Sequence, residues 1–464
     1  MADLFRRVAP VVDELGKLFT ASGHQLALVG GSVRDVLLGR IGHDLDLTTD
    51  ARPERVLEIV RPWADAVWTI GIDFGTVGAR KGDWLLEITT YRSEAYDPKS
   101  RKPEVMYGDT LEGDLERRDF TVNAMAVRLP GLEFVDPYGG LADLGAKVLR
   151  TPGPPERSFD DDPLRMLRAA RFASQLGFRV DLKARAAMTS MADRIEIVSA
   201  ERIRDELDKL ILGAHPRDGL TLLVETGLAE HVLPELPRLR LEIDEHHRHK
   251  DVYEHTLIVL EQAIALETSG PDRVLRWAAL MHDVGKPKTR RLEPGGRVSF
   301  HHHEVVGAQL TRKRLSALRF PKDVVADVSR LVELHLRFHG YGSGEWTDSA
   351  VRRYVRDAGH LLDRLHKLTR ADCTTRNKRK AAALWRTYDH LEQRIARLAE
   401  EEELAKIRPE LNGNEIQEIL GIPPGPTVGK AYRFLLDMRL DRGLIGKEAA
   451  REALLEWARE NGVI

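Results

Sequence analysis

Cysteine is almost absent: Cys373 is the only one in 464 residues. No intrachain disulfide can form, which points to a reducing compartment. No apolar run reaches the ~18–20 residues that a membrane-spanning helix needs. The opening stretch, MADLFRRVAPVVDELGKLF, mixes charges with apolar residues and lacks the unbroken apolar core of a secretory signal. An excess of charge of one sign is also missing. Lys and Arg number 71 against 73 Asp and Glu, a net charge of −2. Any nucleic-acid surface must therefore be a local basic patch and not a bulk property. Long repeats and low-complexity segments do not occur. These absences exclude a disulfide scaffold and a helical membrane protein, and they predict a cytoplasmic location.

What is present is an ordinary globular composition, 42% hydrophobic and 31% charged. The length is too great for one core, so several domains are expected. Residues 1–20 have the spacing of an amphipathic helix. Residues 25–90 carry strand signals, in QLALVGG, HDLDLTT, GTVGARK and WLLEITTYR. The polar stretch 97–114 reads as a mobile loop. FTVNAMAVRL and LEFVDPYGG continue the first domain, and TPGPPE at 151–156 closes it. Beyond it the pattern is helical, with a histidine-rich unit at 246–372 and a charged tail broken at 421–430. The fold class expected is multidomain α+β. A mixed β-sheet head spans 1–150, followed by all-helical segments at 151–240, 241–375 and 376–464.

GHDLDLTTD, residues 42–50, sets two carboxylates on one strand. Residues i and i+2 of a strand face the same side, so Asp44 and Asp46 project together. Such a pair is costly unless a cation lies between them, and two Mg²⁺ ions bridged to substrate phosphates are the usual remedy. Glu87, in LLEITTYR, is a candidate third carboxylate from a neighbouring strand. Just upstream, LVGGSVRDVLLGR places Gly30, Gly31 and Ser32 between a strand and a helix that carries Arg34 and Asp35. Glycines let the backbone approach phosphate oxygens, and Arg34 adds a charged donor. Turn and carboxylates together describe a site for a nucleoside triphosphate with two metals.

These segments, followed by RRDFTVNAMA, DPYGGLADL, DDPLRMLRAARFASQLGF and ERIRDELDKLI, resemble the bacterial-type (class II) CCA tRNA nucleotidyltransferases and their poly(A) polymerase relatives. The resemblance covers roughly residues 20–215. It implies a nucleotidyltransferase head, with helical neck, body and tail, acting on tRNA with CTP and ATP. Arg118, Asp119 and Asn123 would lie at the ribose and phosphates, and Arg168 and Arg171 would face the triphosphate. Asp162 and Arg165 would read the base edge: a carboxylate accepts from the exocyclic amine that C and A both carry, and the guanidinium donates to ring acceptors. Asp44 and Asp46 would hold both Mg²⁺ ions while the RNA 3′-hydroxyl displaces pyrophosphate. Three outputs stay open here: full CCA addition, partial CC or A addition, and poly(A) synthesis. The absence of a more basic turn at GGSVRD favours CCA, and the loop at 97–114 favours competence to add A.

Most of the seventeen histidines lie late in the chain. His255, the adjacent His282 and Asp283, and Asp372 follow the order H…HD…D, which resembles the HD-domain metal-dependent phosphohydrolases. Imidazole with carboxylate suits a divalent transition metal. His303 and His335 are candidates for a second metal, and Lys286 would sit near a substrate phosphate. A hydrolase and a bare scaffold are both open, as is a phosphohydrolase whose head merely binds nucleotide or RNA. The tail segments 375–386 and 411–436 carry basic residues expected to contact the tRNA elbow.

Overall fold

The computed structural model describes residues 5, 8–40, 42–95, 104–240, 251–294, 297–340, 346–374, 378–402 and 408–464. They fall into two compact units, Met1–Pro234 and Glu235–Ile464. Among the described residues no helix is long and apolar enough to cross a membrane.

The first unit is built on a mixed sheet. Its strands are β1 (Leu26–Val29), β2 (Asp44–Thr49), β3 (Ala66–Trp68), β4 (Thr76–Lys81), β5 (Trp84–Thr90), β8 (Ala126–Leu129) and β9 (Glu133–Val135), in the order β3-β4-β5-β2-β1-β8-β9. In this sheet only β2 and β5 run parallel; the other neighbours are antiparallel. LALV of β1 is buried throughout, as a central strand should be. In β2 the alternation is strict at its start: Leu45 and Leu47 enter the core while Asp44 and Asp46 stay on the open face.

Of the stretch expected to be a loop at 97–114, the described residues 104–114 include a strand and the start of a helix. β6 (Arg92–Ala95) pairs with β7 (Glu104–Tyr107) as a separate hairpin, Arg92 opposite Tyr107. Residues 97–103, the rest of that expectation, lie outside the described residues. Helix α4 (Leu111–Glu116) follows; the Thr110 hydroxyl accepts the Gly113 N–H at its N-terminus. Leu111 and Leu115 join Tyr91, Val29 and Ala126 in one apolar cluster. Polar composition hid this helix because those two are its only buried apolar side chains.

The remaining helices of this unit are α1 (Ala9–Ala21), α2 (Gly31–Leu37) and α3 (Pro53–Val60) before α4, then α5 (Gly140–Ala146), α6 (Pro155–Asp161), α7 (Leu164–Leu176), α8 (Leu182–Ser190), α9 (Ala200–Ile211), α10 (Pro216–Glu225) and α11 (Leu228–Val232). The short strands β10 (Val148–Leu149) and β11 (Arg179–Val180) pair in parallel. On α7, Met166, Ala169, Phe172 and Ala173 are buried and Leu176 is half-buried. Leu164, Arg165, Leu167 and Ala170 are buried as well, because α9 and α10 both pack on this helix.

The second unit is helical: α12 (Val252–Ala265), α13 (Arg273–Met281), α14 (Lys286–Thr289), α15 (His303–Ala317), α16 (Lys322–Leu334), α17 (Asp348–Ala358), α18 (Leu362–Ala371) and α19 (Lys378–Glu402). A small hairpin, β12 (Arg291–Glu293) with β13 (Arg297–Ser299), interrupts it. The end of the chain has its own core of Leu411, Ile416, Leu435 and Leu454, formed by α20 (Gly413–Leu420), α21 (Pro426–Arg442) and α22 (Lys447–Glu460). The expected break at 421–430 holds: Gly421 ends α20 at positive φ and Pro426 opens α21.

Candidate active site and metal centre

The parallel register of β2 and β5 sets Asp46 opposite Glu87 and Asp44 opposite Leu85. All three carboxylates lie on exposed positions of their strands, on one face of the sheet. The turn between β1 and α2 closes over them. Gly30 has φ of 67° and ψ of −132°, a combination open to glycine alone. A Cβ there would stand 2.8 Å from Arg118 Nη1, and one on Gly31 would stand 3.7 Å from Asp46 Oδ2. Gly30 is therefore required by its backbone conformation and by the Arg118 guanidinium, whereas a Cβ on Gly31 would meet only ordinary contacts. Gly30→Ala should cost about 1–3 kcal/mol in backbone strain and push Arg118 aside; thermal unfolding and CTP titration check both effects.

Ser32 has a structural task as well. Its hydroxyl accepts the Asp46 N–H at 2.8 Å and lies 3.4 Å from the Asp44 carbonyl, pinning the carboxylate strand to α2. Arg34 is buried; it donates to both oxygens of Asp35, at 2.9 and 3.0 Å, and to Asn123 Oδ1 at 2.6 Å. Asn123 donates to Asp119 Oδ1 at 2.9 Å, and Arg168 donates to Asp119 Oδ2 at 2.7 Å. One polar chain thus joins the glycine turn, the turn after α4 and α7. Burial pushes the Asp119 carboxyl up, but Arg168 and the Asn123 hydrogen bond outweigh it and hold it well below the usual carboxylate range. For Asp46 the balance is reversed. Desolvation in the recess and repulsion from Glu87 and Asp44 raise its carboxyl, against the pull of Arg118 and Arg34. A carboxylate left uneasy in this way suits a cation-binding position.

Phe172 gathers the basic residues: the guanidinium carbons of Arg171, Arg34 and Arg168 lie 4.0, 5.1 and 5.7 Å from its ring centre. Glu206 of α9 accepts from Arg171. Asp162 and Arg165, the pair expected to read the base, stand at the start of α7. Asp162 accepts the Leu164 N–H at 3.1 Å and the Arg202 guanidinium at 2.8 Å. Arg165 donates to Ser158 Oγ at 2.9 Å and to the Arg117 carbonyl at 2.6 Å. Phe172, Glu206, Arg202 and Asp114 are further members of this network that sequence reasoning missed. ERIRDELDKLI contained two of them, and the i+3 and i+4 spacing of Arg117 and Arg118 from Asp114 was the available sign for the fourth.

In the second unit, α13 ends at Met281, so His282 and Asp283 turn out of the helix end together. His255, His282 and Asp372 form one group with ligand atoms within 4.8 Å of one another, and Asp283, His303 and His335 form another. Asp283 lies between the two. Its Oδ2 is 3.2 Å from His282 Nε2 and 3.5 Å from His255 Nε2, and its Oδ1 is 3.3 Å from His303 Nε2. Every ring is oriented through Nδ1: His282 to the Ala279 carbonyl, His303 to Phe300, His335 to Val332, and His255 to the Thr374 hydroxyl. A carbonyl accepts only from N–H, so Nδ1 carries a proton in the first three and Nε2 is the nitrogen left to face a cation. His335 Nε2 is buried with no hydrogen-bond partner. Burial, with the neighbouring His282, pushes the His335 imidazole down to about 3, so it is neutral. Ring nitrogens oriented in this way beside a shared carboxylate fit divalent metals. Lys286 donates to Asp283 Oδ2 at 2.6 Å.

Sheet, glycine turn and clustered carboxylates define a nucleotidyltransferase head, and the second unit contains an HD-type domain. Residues 26–150 match the poly A polymerase head domain, 177–239 the probable RNA and SrmB-binding site of polymerase A, and 252–403 the HD domain. The A-adding tRNA nucleotidyltransferase of Deinococcus radiodurans is 34% identical over 443 residues, 94% of this chain and 96% of its own. The CC-adding tRNA nucleotidyltransferase of Thermus thermophilus is 34% identical, covering 92% and 93%. The crystal structure of the Bacillus stearothermophilus CCA-adding enzyme in complex with CTP superposes with a TM-score of 0.71 at 25% identity, over 100% of this chain and 99% of that one. The chain belongs to the tRNA nucleotidyltransferase family with a poly(A) polymerase-type head.

Proposed function

We propose that the chain builds the CCA end of tRNA without a nucleic-acid template, from CTP and ATP, with Mg²⁺ held by Asp44 and Asp46. The observation that carries this is the shared open face of Asp44, Asp46 and Glu87 beneath the glycine turn, joined by hydrogen bonds to the start of α7. When bound, the metal supplies charge neutralisation at the transferring phosphate. Gly30 and Gly31 admit the triphosphate against the backbone, and Arg118 and Arg168 balance its charge. Asp162 accepts from the exocyclic amine of C or A, and Arg165 donates to a ring acceptor; G and U offer the wrong pattern. The RNA 3′-hydroxyl attacks the α-phosphate in line and pyrophosphate leaves. Basic residues in the charged tail of the second unit add sequence-independent affinity for tRNA phosphates, with head, neck, body and tail at 1–150, 151–240, 241–375 and 376–464. Such a substrate fits a cytoplasmic protein. The second unit carries a metal-dependent phosphohydrolase centre, on the strength of its two groups of His and Asp ligand atoms that share Asp283.

One observation favours a narrower product: two relatives that match along nearly the whole chain are an A-adding and a CC-adding enzyme. Tests use tRNA transcripts ending at the discriminator base and at CC, with Mg²⁺ and each labelled nucleotide. Two C and one A on the first transcript support CCA addition. Growth that stops at CC, or A added only to the second, assigns the partial product. A long A ladder on either makes the chain a poly(A) polymerase.

A further inference from the structure

Asp114, near the end of α4, is 1% exposed, and its carboxylate is an acceptor shared by four residues. Its Oδ1 takes the Arg92 N–H at 3.2 Å and the Arg117 guanidinium at 2.8 and 3.1 Å. Its Oδ2 takes Arg118 Nη2 at 3.2 Å and the Thr48 hydroxyl at 3.3 Å. Thr48 belongs to the strand that carries Asp44 and Asp46, and Arg92 begins the β6–β7 hairpin. Burial alone would push this carboxyl up, and the two guanidinium groups overcome that and keep it ionised. A buried charge held between two arginines fixes both of them, because neither can leave without exposing an uncompensated charge.

The two arginines lead to different parts of the site. Arg118 reaches from Asp114 to the glycine turn, close enough that Gly30 has no room for a Cβ. Arg117 continues by its backbone: its carbonyl accepts Arg165 at 2.6 Å. We infer that Asp114 is a positioning residue for nucleotide selection, setting Arg118 at the phosphates and, through Arg117, the seat of Arg165 at the base. This rests on the base-reading role of Arg165 proposed above.

Asp114→Asn keeps the shape and removes the charge, and its amide turns a donor toward a guanidinium. Arg117→Gln cuts one arm from a partly exposed position, which leaves a testable protein if the buried change impairs folding. The readout is kcat/KM for the nucleotide that the parent adds, divided by kcat/KM for UTP, on tRNA transcripts with the full chain. Charged hydrogen bonds of this kind carry about tenfold or more. Asp114→Asn should lower both kcat and that ratio by about tenfold. Arg117→Gln should lower the ratio similarly and kcat less. Arg165→Ala is measured in parallel. If it lowers the ratio while Asp114→Asn and Arg117→Gln do not, Asp114 has no positioning role. If Arg165→Ala itself leaves the ratio unchanged, base reading by Arg165 fails and the inference with it. A lower Tm with all four nucleotides slowed equally makes Asp114 a purely structural residue and overturns the inference.

Discussion

An Asp46→Asn protein should fold as well as its parent and extend tRNA about 10³-fold more slowly, the scale of several kcal/mol of lost charge stabilisation in the transition state. Asn matches Asp in size, so Leu45 and Leu47 on the opposite face keep their packing. It cannot neutralise a cation. The effect on stability has the opposite sign. Asp46 has its carboxyl raised in the folded protein, by burial first and then by Glu87 and Asp44. A raised carboxylate means that the folded state resists the charged form, so ionised Asp46 destabilises the protein at neutral pH. That penalty fades as pH falls and the group takes up its proton. Without Mg²⁺ the variant should therefore melt at or slightly above the parent temperature. Adding Mg²⁺ should raise the parent's Tm and leave the variant's nearly unmoved. Primer extension and paired melting curves decide the matter. Activity within tenfold of the parent, or a sharp loss of Tm, would remove Asp46 from the metal site.

The reasons that Asp44 and Asp46 were legible in the sequence are also the reasons that Asp114 was not. A strand repeats every two residues, so two carboxylates flanking leucines announce a shared face by their spacing alone. The same rule placed Glu87 near them without its register, and the pairing Asp46↔Glu87 came from the fold. Asp114 sits in a helix of six residues with only three buried side chains, too short for an apolar period to form. Its meaning depends on Thr48 and Arg92, which approach it through the sheet and hairpin. Arg165 illustrates a different limit. Helical spacing put it on a flank of α7, while packing by α9 and α10 decides that the flank is buried. In the second unit, the order of the histidines and aspartates gave all six ligand candidates. It could not give their grouping, because Asp283 faces both groups.

That shared position makes Asp283 the residue whose loss should remove the most metal. The parent, incubated with Mn²⁺ or Zn²⁺ and desalted, should retain about two ions per chain by elemental analysis, one for each ligand group. His303→Ala should retain one, since His255, His282 and Asp372 remain together with Asp283 beside them. Asp283→Asn should retain close to none and hydrolyse p-nitrophenyl phosphate at background rate. Asn rather than Ala is the informative change: Asp283 is fully buried between His282 and Lys286, and an emptied site would leave those groups facing one another. Metal should also stabilise the folded chain by about 4 kcal/mol at a thousandfold excess over its dissociation constant, and chelation should reverse that gain. His335 adds nothing to the pH dependence of binding near neutrality, because burial keeps it neutral down to about 3. The dependence should come chiefly from His282. Burial pulls its proton affinity down, but Asp283 and Asp372 outweigh that, so it holds its proton more firmly than a free imidazole. Metal must displace that proton, so affinity should fall as pH drops through the range where His282 becomes charged. A parent chain that retains no ion under any of these conditions would reduce the four histidines to scaffold. One that retains two ions yet hydrolyses no phosphate ester would keep the metal centre and remove the hydrolase.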